Sequence, residues 1–457
     1  MNIRKILLLF VCLTSVNMWA QQHFDANWAS LDQREVPTWF ENAKFGIFVH
    51  WGVYSVPAWA PNAKEVYTRY AEWYWHRIKE GTHEGIDFVK FHKQMYGEKT
   101  QYQDFAMHFK AELFDADQWA ALFKRSGAKY IVLTSKHHEG FTLWPSAQSV
   151  NWNSVDIGPH RDICRELTDA VHRQNLKMGF YYSLYEWYHP VYQTDVHRYV
   201  AEHMLPQLKD LTIRYQPEII WTDGEWAHPS STWRSEEFLQ WLYNESSVRQ
   251  TVVVNDRWGS ETRGKHGGFF TTEYDLVHEE KSTDMRFSRP WEECRGIGGS
   301  FGYNRGENIE DYSTAKQLID VLIEKVSRGG NLLLNVGPTA DGRIPVIMQE
   351  RLLQIGKWLE VNGEAIYDTR QWHEKPQSNL PANVFFTVNG NTTYALLTKI
   401  GKQSFSVNNI KKPSRVTLLG YKKSIHWKWN GNGITIHIPE IAVDESPCNY
   451  AWVVKIQ

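Results

Sequence analysis

The sequence has almost no cysteine: Cys12, Cys164, Cys294 and Cys448 are its only four, widely spaced over 457 residues. That spacing excludes both a disulfide framework and a C-x-x-C metal site. An excess of one charge is also missing. Fifty basic residues stand against 52 acidic ones with no basic run of five or more, so neither a nucleic-acid backbone nor an anionic membrane surface is implied as partner. No apolar stretch is long enough to span a bilayer. No G-x-G-x-x-G or Walker pattern follows a candidate strand, which removes the usual mark of a nucleotide cofactor. H-x-H and H-E-x-x-H pairs are absent from the candidate strand ends, so no catalytic metal is expected. A small neutral ligand fits this balance best.

What the chain has in plenty is aromatic: 14% of it, with Trp (22) as frequent as Tyr (22) and Phe (21). Most of these rings must fill a core, but indole also stacks on the apolar faces of sugars. At this length and 42% hydrophobic, the chain can bury a large core and exceeds one average domain. Its first twenty residues carry Arg4 and Lys5, the apolar run Ile6 to Val16, and Ala20 ahead of Gln21-Gln22, the layout of a cleaved secretory leader. Residues 1–20 are therefore read as a signal peptide, and the mature protein as exported to the periplasm or beyond the cell. Losing Arg4 and Lys5 takes the formal net charge from −2 to −4.

From Phe45 onward, apolar runs stop abruptly in polar or aromatic residues. Phe45 to Val49 leads into His50-Trp51-Gly52, Tyr130 to Ser135 into Lys136-His137-His138-Glu139, and Met178 to Ser183 into Leu184-Tyr185-Glu186-Trp187. Ile219-Ile220-Trp221-Thr222 leads into Asp223-Gly224-Glu225-Trp226, Thr251 to Val254 into Asn255-Asp256-Arg257, and Leu332 to Leu334 into Asn335. Helical patterns lie between, with Asp115 and Asp162 placed to cap two of them and further stripes over Leu208 to Tyr215, Thr314 to Arg328 and Met348 to Val361. Continuously apolar strands that alternate with helices mark a parallel sheet covered by helices. An α/β architecture, a (β/α)8-like barrel over residues 21–369, is preferred to an open doubly wound sheet. Its active site should form at the C-terminal strand ends, where His50, His137, His138, Tyr181, Asp223 and Arg257 converge. The long segment from Ser55 to about Ala106 should join them. After Tyr367, short runs separated by turns, among them Val384 to Val388 and Thr392 to Thr398 around Asn389-Gly390-Asn391, predict a small antiparallel β-sandwich over 370–457.

Carboxylates, histidines, tyrosines and tryptophans at strand ends suit glycoside hydrolysis. One carboxylate attacks the anomeric carbon, a second protonates the leaving oxygen, neutral donors read hydroxyls and indoles line the ring. Nine acids qualify: Glu72, Glu139, Glu186, Asp223, Glu225, Asp256, Glu273, Glu292 and Glu293. A period of two puts Asp223 and Glu225 on one face, while adjacent His137 and His138 should point to opposite faces.

Phe45 to Gly52, Tyr70-Ala71-Glu72-Trp73, Lys136-His137-His138, Trp221 to Trp226, Asn255 to Gly259 and Arg295 to Tyr303, in that order, resemble the α-L-fucosidases of glycoside hydrolase family 29. The likeness runs from about Trp39 to Tyr367. It implies an exo-acting, retaining fucosidase without metal or cofactor, acting on fucosylated oligosaccharides or glycoconjugates, with Asp223 as nucleophile. For the acid/base it offers two positions, Glu273 in Thr272-Glu273-Tyr274 and Glu292 in Trp291-Glu292-Glu293. Glu273 is preferred, and Glu292 would otherwise brace Arg257 or another base. His50, Glu72, Trp73, His137, His138, Tyr181 and Arg257 match the hydroxyl-binding set, while Phe48, Trp221 and Phe301 match the wall around the C5 methyl. Linkage and oligomeric state stay open.

A metal-dependent barrel hydrolase is the rival class. Dialysis against a chelator is expected to leave turnover of an aryl α-L-fucoside unchanged; a loss that added Zn²⁺ restores would favour the rival.

Overall fold

The computed structural model describes residues 22–63, 65, 67–277, 280–281, 289–372 and 380–457. The expected leader, residues 1–20, and Cys12 within it lie outside them.

Eight parallel strands build one curled sheet: β1 (Phe45–Val49), β2 (Tyr130–Lys136), β3 (Lys177–Ser183), β4 (Ile219–Asp223), β5 (Val253–Val254), β6 (Phe270–Glu273), β7 (Trp291–Gly296) and β8 (Asn331–Val336). They pair in the order β6-β7-β8-β1-β2-β3-β4-β5. Two backbone hydrogen bonds, Gly268 N–H to Asn255 O and Phe269 N–H to Val254 O (3.2 and 3.0 Å), join the β5 and β6 edges, so the barrel closes at a loose seam. The crossovers and the last strand are covered by α1 (Ala116–Arg125), α2 (Ile163–Arg173), α3 (Leu205–Tyr215), α4 (Ser235–Asn244), α5 (Ala315–Ser327) and α6 (Val346–Asn362). Asp115 and Asp162 accept from the Gln118 and Arg165 N–H groups, and Thr314 opens α5 with a reciprocal capping box to Gln317. Each cap satisfies a donor that the first helical turn leaves free. Between β5 and β6 no helix intervenes among the described residues, and this is where the sequence pattern also thins out.

All seven residues of β2 are buried, yet two different cores bury them. Tyr130 and Val132 point into the barrel beside Phe48, Tyr181, Trp221 and Phe301, whereas Ile131 and Leu133 point outward into the helical layer. Burial on both faces is why these strands read as unbroken apolar runs.

The last part of the chain forms β9 (Arg370–Gln371), β10 (Val384–Asn389), β11 (Thr392–Leu397), β12 (Gln403–Asn408), β13 (Val416–Leu418), β14 (His426–Trp429), β15 (Gly433–Ile438) and β16 (Trp452–Ile456). They make a five-stranded sheet, β9-β10-β11-β16-β13, and a three-stranded one, β12-β15-β14. Phe386, Phe405, Ile434, Ile436 and Val454 fill the space between. Tyr394, Leu396 and Val453, on the other face of the larger sheet, belong to the core of the barrel's helices. Trp358 Nε1 donates to Ala451 O (2.9 Å) and Thr387 Oγ1 to Ala365 O (2.7 Å) across this contact. Gly390 takes the positive φ (56°) of the β10–β11 turn, as a two-residue hairpin loop requires.

Gly356 is the tightest point where α6 crosses the end of α1, since a Cβ there would meet Arg125 O at 1.9 Å. Gly356→Ala is therefore expected to destabilise by about 1–3 kcal/mol, more than the roughly 1 kcal/mol that helix propensity returns. A thermal midpoint equal to or above that of the parent would contradict this packing.

Candidate active site

A pocket of about 330 Å³ opens at the C-terminal ends of the barrel strands, a size suited to a small ligand. Asp223 ends β4. The next residue, Gly224, has φ +74°, and a Cβ on it would meet the Tyr185 ring at 2.3 Å, so the chain turns at once and leaves the carboxylate at the mouth. Arg257, in the loop after β5, donates from Nη1 to Asp223 Oδ1 (2.7 Å) and from Nη2 to Glu273 Oε2 (3.2 Å). One guanidinium thus spans both acids. Its Nε donates to Thr271 Oγ1 (3.1 Å), and its plane lies over the Trp221 indole at 4.4 Å. Tyr181 donates to Asp223 Oδ2 and Tyr70 to Glu273 Oε1, both at 2.8 Å. Burial is the largest single influence on Asp223 and opposes its ionisation, but the surrounding positive charge, Arg257 foremost, together with the Arg257 hydrogen bond outweighs it and holds the carboxyl well below the usual range.

Glu292 has a different place. It is the second residue of β7 and pairs with Thr271, whereas Glu273 ends β6 opposite Cys294. Two residues of strand put Glu292 about 7 Å deeper in the barrel. There it accepts from Tyr130 OH (2.5 Å) and Trp221 Nε1 (3.0 Å). The expected brace to Arg257 is replaced by a brace under Trp221. Glu273 lines the pocket and Glu292 does not.

His137 and His138 do not take opposite faces. The β2 ladder shifts register between Thr134 and Lys136 and ends there, so the pleat stops before the pair. Both rings line the pocket, with centroids 4.1 Å apart. Ser183 donates its hydroxyl proton to Tyr185 O (2.6 Å) and so accepts from His138 Nδ1 (2.7 Å). Asn335, fixed by its Nδ2 donation to Phe301 O, accepts from His50 Nδ1 (2.7 Å). Burial depresses His50 and His137 to about 3 and His138 well below its usual value. These rings are neutral, and His50 and His138 keep an unprotonated Nε2. Glu72, in a turn of the segment after β1, accepts from Gly302 N–H (2.8 Å), and burial raises its carboxyl to about 7. Phe48, Trp73, Trp221 and Phe301 complete the lining.

The pocket also holds residues that strand-end reasoning passed over. Tyr67, Arg77, Trp226, Arg263 and Cys294 all line it. Glu225 lines it too, but through the Gly224 turn rather than by strand alternation; Arg263 Nε lies 2.7 Å from its Oε1 without alignment for a hydrogen bond. Arg263 sits in a loop with no period to announce it, whereas Tyr70 and Trp226 are end residues of two of the motifs themselves. Gly298-Gly299-Ser300-Phe301-Gly302 spells the G-x-S-x-G pattern of a nucleophile elbow. The Ser300 hydroxyl instead meets Glu72 and the Ala71 N–H, and its described partners include no histidine.

Of the remaining acids, Glu139, Glu186, Asp256 and Glu293 are buried outside the pocket lining. Among the described residues one trio offers ligand atoms within 4.8 Å of one another, Glu186, His189 and His203. Lys136 Nζ (2.9 Å) and His203 Nε2 (2.7 Å) share the same Glu186 oxygen. The carboxylate is already charge-matched, and the trio reads as a brace for the turn carrying Trp187.

Residues 11–364 match the family model described as alpha-L-fucosidase, and residues 377–457 the one described as alpha-L-fucosidase C-terminal domain. The chain is 41% identical over 464 residues to the tissue alpha-L-fucosidase of Rattus norvegicus (99% of this chain, 96% of that protein). It is 42% identical over 473 residues to an alpha-L-fucosidase of Dictyostelium discoideum (99% of each). A crystal structure of Thermotoga maritima alpha-fucosidase in complex with a mechanism based inhibitor matches with TM-score 0.78 and 34% identity, over 95% of this chain and 100% of that one.

Burial raises Glu72 and Glu292 to about 7 and Glu139 to about 8. Each folded value lies above the ordinary 4.5, so the stability these acids contribute is complete below pH about 4.5 and is lost as pH rises through 7 to 8. Below pH about 6.5 the buried neutral His50, His137 and His138 oppose this loss, because their unfolded rings bind protons that the folded ones do not, so the unfolding midpoint is expected to fall between about pH 6.5 and pH 8. Glu292→Gln, which keeps an acceptor for Tyr130 and Trp221 but cannot ionise, should flatten that fall; an unchanged slope would refute the assignment.

Proposed function

Because the chain belongs to the alpha-L-fucosidase family of glycoside hydrolases, we propose that it releases terminal L-fucose from glycans by double displacement, with Asp223 as nucleophile and Glu273 as acid/base. The observation that carries this reading is the shared guanidinium: Asp223 and Glu273 each accept from a different nitrogen of Arg257. Such bridging is compatible with the separation of about 5 to 5.5 Å that retention of configuration needs.

In the first step an Asp223 oxygen bonds to the anomeric carbon, the glycosidic bond breaks, and the Glu273 proton goes to the leaving oxygen. In the second, Glu273 takes a proton from water, the water oxygen bonds to the anomeric carbon, and the ester to Asp223 breaks, freeing the carboxylate. Negative charge passes from Asp223 to Glu273 in the first step and back in the second. Arg257 faces both, so one fixed cation serves each state without reorganisation. The neutral His50 and His138 offer bare Nε2 atoms to substrate hydroxyls, with Glu72, Trp73 and His137 as further hydroxyl partners. Phe48, Trp221 and Phe301 provide an apolar wall for the C5 methyl. Fucosylated oligosaccharides or glycoconjugates are the proposed substrates, met after export.

Asp223→Ala should lower turnover of an aryl α-L-fucoside by about a thousandfold or more while the protein stays folded; near-parent activity would sink the nucleophile assignment. Azide should rescue Glu273→Ala on an activated fucoside, since it needs no deprotonation to attack the ester. Rescue of Glu292→Ala alone would reverse the acid/base choice.

A further inference from the structure

Two rings of this pocket are at odds with the rest of the molecule. Among the large hydrophobic side chains that stand exposed in the described residues, only two are aromatic, Tyr67 (40%) and Trp226 (41%). Both line the catalytic pocket. Trp226 stands three residues past Asp223, held edge-on by Tyr185 and His138 (centroids 5.6 and 5.5 Å) and nearly parallel to Trp73. Tyr67 packs edge-on against Tyr70 at 5.6 Å, and Tyr70 holds Glu273. One exposed ring therefore flanks the nucleophile and the other the acid/base. Large flat apolar surfaces left in water at a sugar pocket are costly unless a ligand covers them. Every other residue of the lining is buried or half-buried, so the exposed rings stand where a ligand held by that lining meets solvent.

On the proposed fucosidase reading, that projection is the leaving group, and we infer that Tyr67 and Trp226 form a leaving-group subsite built for a second pyranose ring. A hexopyranose such as galactose, whose C3, C4 and C5 hydrogens share one face, presents the apolar patch that stacks on indole or phenol. An acyclic or small alcohol leaving group presents none.

The test compares an α-L-fucosyl-galactose disaccharide with α-L-fucosyl fluoride, which has no ring to stack. In the Tyr67→Ala/Trp226→Ala double variant, the ratio of kcat/KM on the disaccharide to kcat/KM on the fluoride should fall roughly tenfold, the size of about one good stacking contact. A ratio within twofold of the parent, or equal losses on both substrates, would overturn the subsite. A second measurement needs no variant: with fucosyl fluoride as donor, the parent enzyme should transfer fucose to methyl β-D-galactopyranoside at least tenfold better than to sorbitol at equal concentration. Equal transfer would overturn the inference. Failure of the parent to hydrolyse either fucoside would instead defeat the fucosidase reading itself.

Discussion

The site depends on one buried cation. Arg257 is 2% exposed, and a guanidinium in that position is stable only if anions and aligned acceptors replace the water it has lost. Asp223, Glu273 and Thr271 supply these, and the Trp221 face supplies the rest. The dependence runs the other way as well, because two carboxylates this near each other would otherwise raise one another's pKa. The barrel makes the arrangement possible, since β4, β5 and β6 are consecutive along the chain and deliver their ends to one rim.

Beneath that rim the barrel interior is aromatic rather than aliphatic. Phe48, Tyr181, Trp221 and Phe301 form the floor and wall of the pocket, with Tyr130 and Phe269 below them. Aromatic rings exclude water and so strengthen the charge interactions above. They also bring polar tips that must be satisfied. Glu292 answers two of them, accepting from Trp221 and Tyr130, which gives this acid a structural reason to exist without a place in the pocket. Glu72 plays a similar part nearer the rim, where it fastens the segment after β1 to the Gly302 backbone in the loop after β7.

Much of this was legible in the chain. Strands buried on both faces have to be apolar throughout, so β1 to β4 and β8 could be found from their runs. Helix starts were marked by Asp115 and Asp162 because capping is a local hydrogen bond. β5 was marked by the run from Thr251 to Val254, but β6 and β7 showed no apolar run, and the seam between β5 and β6, held by two backbone hydrogen bonds, has no side-chain pattern at all. The opposite-face reading of His137 and His138 failed because period-two alternation ends where a strand's register slips, and that slip is set by the neighbouring strand.

What the sequence determined by itself was the inventory: alternating elements, polar residues where apolar runs stop, and motifs whose order marks the family. Composition and local propensity are enough for that, since each depends on residues close in the chain. Only the tertiary structure set how deep each of the two candidate acids lies. Glu273 and Glu292 lie nineteen residues apart and look alike by type, but strand register puts one at the rim and the other about two residues deeper. Depth along a barrel axis is a property of the pairing between strands, which no single stretch of chain encodes.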